Sequence, residues 1–355
     1  MIHKSKLNQI NISLSPLHDI LIILIAIIIS IIFFSILIAL LNYNVTRALL
    51  TLIETSFGSF FGFRSTIIKM IPLTFLAYAF AIPSMVRFFN IGGYGQMMFG
   101  ATIITIIAFL FESYNISSYI LIPLLLFIGF CSGGLFATIA SFLKIKGDID
   151  PIISTIMLNF VSLEFLYFIT QNPLFADPIA GHPTTRPLPT NSLLGNWYGI
   201  PYSIIILFIS IIFIFYFVRK SKIGYEILAT GFNINAAEKF GINIKRAIMW
   251  SFFIGGGLAG LAGTLEIINI NGRLISGFAS TNGAQYGLFG ALTALIVGGV
   301  SPLAIPIAAF FMSVLLVGAN ALQRTMGLSV YVVFILQAIM VINIVVIRTI
   351  FNKRR

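Results

Sequence analysis

Five polar side chains stand out because they occur within or beside long apolar stretches. They are the carboxylates Glu164 and Glu266 and the amides Asn90, Gln96 and Asn159. A carboxylate inside a membrane-length apolar stretch has to face water or a polar partner. Amides among apolar residues suit the hydroxyls and base edges of a neutral polar compound. These residue types predict a substrate pathway lined by the five candidates.

Several of these residues also have a plainer structural interpretation. Glu266 follows Arg246 by about 20 residues, so a helix that starts there carries it roughly 30 Å upward, to a membrane boundary where an acid costs little. That interpretation stays open beside a gating or substrate-lining role. Glu164 lies deeper, roughly 20 Å into its stretch. Asn159 is equally suited to bridging two helices, and Asn90 to capping one.

Known catalytic patterns are missing from the sequence. No lysine follows a glycine, so the phosphate-binding G-x-x-x-x-G-K loop cannot form. There is no H-E-x-x-H and no G-x-S-x-G, and His3, His18 and His182 are scattered without metal-ligand spacing. The single cysteine, Cys131, excludes an intrachain disulfide. The sequence therefore predicts no catalytic residue, no metal and no cofactor.

The elements that position these residues are membrane-spanning helices. Apolar residues make up 59% of the 355 positions and charged residues 9%, too few to cover a soluble domain of this size. The apolar runs reach the length that crosses a hydrocarbon core. The predicted fold class is all-α, a polytopic bundle of about ten spans, with a count uncertain by two. The spans are approximately 20–41, 65–86, 95–111, 118–143, 152–170, 200–218, 247–268, 284–300, 302–318 and 328–349.

Three of these spans need comment. The first follows a basic start, as a signal peptide does, but it is longer than a signal core and no A-x-A-like site follows, so we interpret it as a retained anchor. Span 118–143 contains Pro123 and is long enough to be tilted or broken. Spans 284–300 and 302–318 meet at Pro302, as in a hairpin or re-entrant pair.

The distribution of basic residues predicts the orientation. With the N-terminus in the cytoplasm and alternating spans, 15 of the 21 lysines and arginines become cytoplasmic, which supports cytoplasmic location of both termini. The 15 are Lys4, Lys6, Arg87, Lys144, Lys146, Arg219, Lys220, Lys222, Lys239, Lys245, Arg246, Arg348, Lys353, Arg354 and Arg355. The others, assigned to the outer side and the span ends near it, are Arg47, Arg64, Lys69, Arg186, Arg273 and Arg324. We interpret the net charge of +11 as membrane topology, with no nucleic-acid partner.

Two connections are long enough to form surfaces. Residues 171–199 are rich in Pro, Asn and Thr and predict an external polar cap that is neither helix nor strand. Residues 219–246 carry six basic residues and predict a cytoplasmic docking segment. No second soluble domain is predicted, so residues 1–355 form one transmembrane domain.

Two small-residue patterns predict close contacts. Gly256, Gly260 and Gly263 have the spacing of tightly packed helices, with a G-x-x-x-G from Gly256 to Gly260 and a small-x-x-small step to Gly263. In the segment 219–246, Asn235, Ala236, Ala237, Gly241 and Ile242 suit a short helix that ends at the glycine. The two alanines would let a partner surface approach closely; an ordinary surface helix is the alternative.

This last pattern resembles the E-A-A-x-x-x-G coupling loop of ATP-binding-cassette (ABC) importer permeases, with Asn235 in place of the acidic residue. Residues 89–96, FNIGGYGQ, are similar to a segment of the nucleoside and simple-sugar branch, although Tyr94 stands where a glutamate is common. STIMLN at 154–159 and GLAGLAG at 257–263 match two further segments. The resemblance covers about residues 65–345.

The resemblance implies a multi-pass permease subunit in the bacterial cytoplasmic (inner) membrane. Its implied partners are a second homologous permease, a cytoplasmic ABC ATPase and a substrate-binding lipoprotein or periplasmic binding protein, besides the lipid bilayer. ATP hydrolysis would occur on the separate ATPase subunit, so no enzyme activity is expected of this chain. Nucleosides such as guanosine are the expected substrates, with simple sugars such as ribose and galactose as the alternative. An ion-coupled secondary transporter or channel is a further alternative, and a membrane enzyme the weakest.

Overall fold

The computed structural model describes residues 16–114, 116–276, 284–297 and 301–329, with scattered positions between 331 and 346. Within them the chain is helical. The helices are α1 Pro16–Leu40, α2 Val45–Phe57, α3 Phe60–Ser84, α4 Gly93–Leu110, α5 Ser118–Gly147, α6 Pro151–Gln171, α7 Ser203–Lys220, α8 Lys222–Phe232, α9 Ile234–Lys239, α10 Ile244–Leu265, α11 Ala284–Val297 and α12 Ala304–Met326. Short 3-10 turns occur at Glu112–Tyr114 and Thr190–Ser192. A π-helical segment, Glu266–Asn271, continues α10.

Seven helices among the described residues are long and apolar enough to cross a membrane. They are α3, α4, α5, α6, α7, α12 and α10 together with its π-helical segment. The all-α fold class is confirmed, whereas the count of ten spans and the orientation stay predictions. Most of span 328–349 and residues 298–300 of the eighth span lie outside the described residues, as do Lys4, Lys6, Arg348, Lys353, Arg354 and Arg355.

Polar side chains set the starts of many helices. The side chains of Asn44, Ser59 and Asp150 accept a hydrogen bond from a backbone N–H in the first turn of α2, α3 and α6. Ser221 and Asn243 do the same for α8 and α10. Each cap satisfies one of the N–H groups that a helix start leaves without an intrahelical partner.

The structure differs from the sequence prediction in three places. Helix α2 fills the stretch between the first two predicted spans, its apolar side packed on α12. Helix α5 is continuous, because Pro123 stands in its second turn, near the start where few backbone bonds are lost. The connection 171–199 is not free of strand: Asn196–Trp197 (β1) pairs antiparallel with Ile200–Pro201 (β2). Tyr198 and Gly199, both at positive φ, form the two-residue turn that such a hairpin needs.

The core lies around α3 and α10. Helix α10 packs on α3, α4 and most extensively on α5. Helices α6 and α7 are much more exposed along their apolar windows than α3 and α10. The central pair is therefore enclosed by protein, and the peripheral helices present apolar faces to lipid or to another subunit.

Glycines make the contact between α10 and its neighbours possible. A β-carbon on Gly260 would lie 2.1 Å from the carbonyl oxygen of Gly129 in α5, and one on Gly263 would lie 2.0 Å from the carbonyl oxygen of Met97 in α4. At Gly256 it would meet the Ala137 side chain at 2.2 Å. The three helices thus touch backbone to backbone, which only glycine permits at these positions.

The long connection 172–202 is bonded to the far end of α10. The side-chain amide of Asn269 bonds on both sides. Its Nδ2 donates to the backbone carbonyls of Leu194 and Gly195 over 2.8 and 3.0 Å, and its Oδ1 accepts from the backbone N–H of Ser203 over 2.8 Å. Arg273 pairs with Asp177 at 3.1 Å. The connection therefore has a defined conformation, held by side-chain bonds to the segment that continues α10.

Candidate functional site

Asn90 and Gln96 meet in the turn between α3 and α4. Asn90 Nδ2 donates to Gln96 Oε1 over 2.9 Å, and Gln96 Nε2 donates to Asn90 Oδ1 over 2.8 Å. Asn90 also donates to the carbonyl of Ala79 over 3.1 Å and accepts from the N–H of Gly92 over 3.0 Å. The two side chains are only 2% and 1% exposed. Their polar groups hold the turn in this conformation.

Asn159 joins the same turn to α6. Its Oδ1 accepts from the N–H of Gly95 over 2.8 Å, and its Nδ2 donates to the carbonyl of Ile91 over 3.3 Å. We call Asn90, Gln96 and Asn159 the amide cluster. Three of the five pathway candidates thus lie together, and their side chains form hydrogen bonds within the protein. Their contact with substrate stays a prediction.

Glu164 occupies a different environment on the other side of α6. Its side chain is exposed. Around it lie exposed apolar residues at helical spacings that share its face: Met157, Phe160, Val161 and Phe168. Glu164 stands 13 residues after Pro151, so it lies roughly 20 Å along the helix. A carboxylate at that depth is not stable against lipid, so this face needs water or a polar partner.

Two half-buried tyrosines lie on the neighbouring helices α4 and α6. Tyr94 is in the first turn of α4, and Tyr167 is one turn beyond Glu164 on α6. A β-carbon on Gly287 of α11 would lie 2.7 Å from the Tyr94 β-carbon. Tyr94 is therefore held between α6 and α11.

Glu266 belongs to a separate buried charge cluster. It is 7% exposed at the first position of the π-helical segment, and its Oε2 has no hydrogen-bond partner in the described part of the chain. Lys69 of α3 and Tyr286 of α11 interact with it electrostatically, and Lys69 Nζ lies 5.7 Å from the centre of the Tyr286 ring. We call Lys69, Glu266 and Tyr286 the charge cluster. Glu266 is thus buried among helices, and its position relative to the membrane boundary stays a prediction.

Sequence reasoning did not select Lys69, Tyr286, Tyr94 or Tyr167 as site residues. Lys69 was assigned to a span end, but α3 begins at Phe60, which places Lys69 about 14 Å along the helix. A lysine inside an apolar span is itself a functional signal. Tyr167 could have been found from its spacing, because it follows Glu164 by three positions and therefore lies near it on the same helix.

The segment 219–246 folds into α8 and α9. Asn233 caps α9 by accepting from the N–H of Ala236 over 3.0 Å, and Gly241, at φ +79°, terminates it. The side chain of Ala237 is 4% exposed and faces the chain itself, whereas Asn235 is exposed and Phe240 is 86% exposed. The exposed surface of α8 and α9 combines apolar and polar side chains. The apolar ones are Tyr225, Phe232, Ile234 and Phe240, and the polar ones are Lys222, Asn233, Asn235, Glu238 and Lys239.

Comparison with known proteins gives one family and several relatives. The family described as branched-chain amino acid transport system / permease component matches residues 62–344. A nucleoside ABC transporter permease protein of Lactococcus lactis is 30% identical over 317 residues, covering 86% of this chain and 85% of that protein. A guanosine ABC transporter permease protein of Bacillus subtilis is 28% identical, over 85% of this chain and 86% of that protein.

A sugar permease is also among the relatives. A glucose ABC transporter permease protein of Haloferax volcanii is 24% identical over 317 residues, covering 86% of this chain and 81% of that protein. No solved structure matches the chain. At these identities the family is defined and the substrate is not.

Proposed function

The chain belongs to the permease-component family of ABC importers, in the branch that contains nucleoside and sugar permeases, and on that premise we propose that it carries nucleosides across a bacterial cytoplasmic membrane. It is a multi-pass membrane protein and a transport subunit rather than an enzyme. ABC permeases work with an ATPase and a binding protein, so ion coupling is not needed to explain transport.

The observation that carries the proposal is the exposed Glu164 on α6. The residues around it on this face are apolar, and no part of the chain that the structure describes covers them. A second permease facing α6 would enclose a cavity with Glu164 on its wall, out of contact with lipid. We therefore place the substrate pathway between α6 and a second, homologous permease.

The chemistry near this face favours a nucleoside. Tyr94 and Tyr167 offer aromatic rings for stacking on a base, and the Glu164 carboxylate accepts hydrogen bonds from sugar hydroxyls or base N–H groups. Two of the relatives above carry nucleoside or guanosine in their names, which supports this choice. The glucose permease relative keeps simple sugars as the second candidate.

The remaining surfaces suit the other partners. The exposed apolar side chains of α8 and α9 fit a groove on the ATPase, since apolar patches in a polar segment mark protein contacts. The connection 172–202 suits a substrate-binding lipoprotein or periplasmic binding protein, because it is bonded into a fixed shape. The proposed orientation is the one that the basic residues predict, with α8 and α9 in the cytoplasm and the connection 172–202 outside.

Uptake competition tests the substrate. Cells that depend on this importer are given labelled guanosine, ribose or galactose in separate assays, each with and without an excess of the same compound unlabelled. Saturable uptake of guanosine alone supports the proposal, and saturable uptake of ribose or galactose without guanosine transfers the assignment to the sugar branch. Glu164→Gln should lower uptake at least tenfold, while Phe168→Leu, one turn away on the same face, should leave it near wild type. Normal uptake by Glu164→Gln would contradict the placement of the pathway but not the family.

A further inference from the structure

A groove of about 470 Å³ opens between α5 and the first turns of α10. Its wall is apolar along most of its length, formed by Leu135 of α5 with Met249, Trp250 and Phe253 of α10. Leu135 is 63% exposed and Trp250 37% exposed, so the groove opens to the surroundings of the bundle. It extends from the polar end of α10 into the membrane-spanning region.

One end of the groove is positively charged. Lys245 and Arg246 line it there, both side chains are exposed, and neither forms an ion pair within the described residues. No carboxylate lines the groove. A ligand that fills it therefore needs an anionic end beside Lys245 and Arg246 and an apolar body beside Trp250 and Phe253.

The apolar wall is ordered by ring contacts. Trp250 packs edge-on against Phe253 at 5.5 Å, and Phe253 against Phe130 at 5.7 Å. Gly134 allows α5 to approach here, because a β-carbon there would lie 2.7 Å from the carbonyl oxygen of Phe253. Thr138 donates its hydroxyl to the carbonyl of Gly134 over 2.8 Å, so it presents no unsatisfied donor in the wall.

We propose that this groove binds an acidic phospholipid, its phosphate between Lys245 and Arg246 and an acyl chain along Trp250 and Phe253. Basic residues at the membrane end of a helix attract anionic head groups, and tryptophan favours the same interfacial depth. A soluble phosphate would satisfy the two cations and leave the apolar wall uncovered. This site is separate from the α6 face and independent of which substrate is carried.

Tryptophan fluorescence tests the proposal directly. The chain has two tryptophans, so Trp197→Phe leaves Trp250 as the only one. The full-length variant is reconstituted in phosphatidylcholine with brominated phosphatidylglycerol or, at the same mole fraction, brominated phosphatidylcholine. We expect quenching of Trp250 to be about fivefold more effective with the acidic lipid. Equal quenching by the two lipids would overturn the proposal.

Charge removal supplies the matched control. Lys245→Gln with Arg246→Gln should bring the ratio to about one, whereas Arg219→Gln with Lys220→Gln, at the end of α7 and outside the groove, should leave it unchanged. A preference that survives the first pair overturns the site. Soluble glycerol phosphate, compared with chloride at equal ionic strength, distinguishes the source of the phosphate: loss of the preference would mean a soluble ligand instead of a lipid.

A second measurement uses the assembled importer. Lipids retained after purification from native membranes are quantified by mass spectrometry for the wild type and for Lys245→Gln with Arg246→Gln. Less acidic lipid on the double variant supports the site. Equal amounts would mean that the groove holds no such lipid in the assembly, and the proposal would fail.

Discussion

The side-chain amides of Asn90 and Gln96 bond to each other through two reciprocal hydrogen bonds of 2.9 and 2.8 Å. Both partners are buried, so hydrogen bonds within the protein must satisfy their polar atoms, and Asn90 completes its set with bonds to Ala79 and Gly92. This pair, with Asn159, fixes the start of α4 against α6.

The first prediction concerns this pair. Gln96→Met should lower the unfolding free energy by roughly 1–3 kcal/mol, because one of the two N–H groups of the buried Asn90 amide loses its acceptor while the other keeps its bond to Ala79. The double variant with Asn90→Leu should cost less than the sum of the two single changes. Thermal unfolding in detergent measures the cycle. An additive result would mean that the reciprocal bonds contribute nothing, and lost uptake at unchanged stability would assign Gln96 to the pathway instead.

The second prediction concerns the charge cluster. Lys69→Met removes the positive charge that acts on the buried carboxylate of Glu266. It should destabilise the protein by roughly 2 kcal/mol or more, because an uncompensated buried charge is costly. Glu266→Gln should cost less, because Lys69 is only half-buried. The combined variant should recover most of this loss. Thermal unfolding of the wild type, the two single variants and the double variant measures the coupling between Lys69 and Glu266. A double variant as unstable as the less stable single variant would show that the two groups are uncoupled.

A third prediction addresses the surface of α8 and α9. Phe240→Ser should leave thermal stability unchanged, since the ring is 86% exposed, yet should lower retention of the ATPase on co-purification and abolish uptake. Ile179→Ser, 92% exposed on the connection 172–202, is the matched control and should retain the ATPase. Ala237→Trp should instead destabilise the segment itself, because Ala237 is buried against the chain. Full ATPase retention by Phe240→Ser would exclude this docking surface.

The fourth prediction concerns orientation. With Cys131 replaced by alanine, single cysteines at the exposed positions His182 and Lys222 should react with a membrane-impermeant maleimide from opposite sides. His182→Cys should be labelled in intact cells and Lys222→Cys only after permeabilisation, because the basic residues concentrate on the side of Lys222. The same labelling pattern for both would contradict the proposed orientation.

Seven of the predicted spans coincide with long apolar helices, because a membrane-length apolar run can be recognised without tertiary information. Helix α2 was less visible, since Arg47 and Glu54 interrupt its apolar residues and its buried side depends on contact with α12. The hairpin at Tyr198 and Gly199 depends on two positive φ angles in a stretch whose prolines suggested irregular structure.

The candidate site was predicted less completely, for a similar reason. The amides were selected one at a time, but their meeting depends on Asn159, which is 64 positions away from Gly95 in the sequence and shares no local pattern with it. The position of Lys69 along its helix depends on the start of α3, which the Ser59 cap fixes at Phe60, ahead of the predicted span 65–86. Long-range packing, which one sequence does not encode in any short motif, decides the first point, and a local cap decides the second.

Helix α10 and its π-helical continuation form one rod of 28 residues, about 40 Å long, that is fastened at both ends. One end follows directly from α9 through the Asn243 cap, and the other is bonded to the connection 172–202 through Asn269. One helix thus joins the two segments. By its length, a tilt of about 5° around one end would displace the other by roughly 3–4 Å, so a change in the position of α9 and a change in the position of the connection 172–202 are coupled through α10.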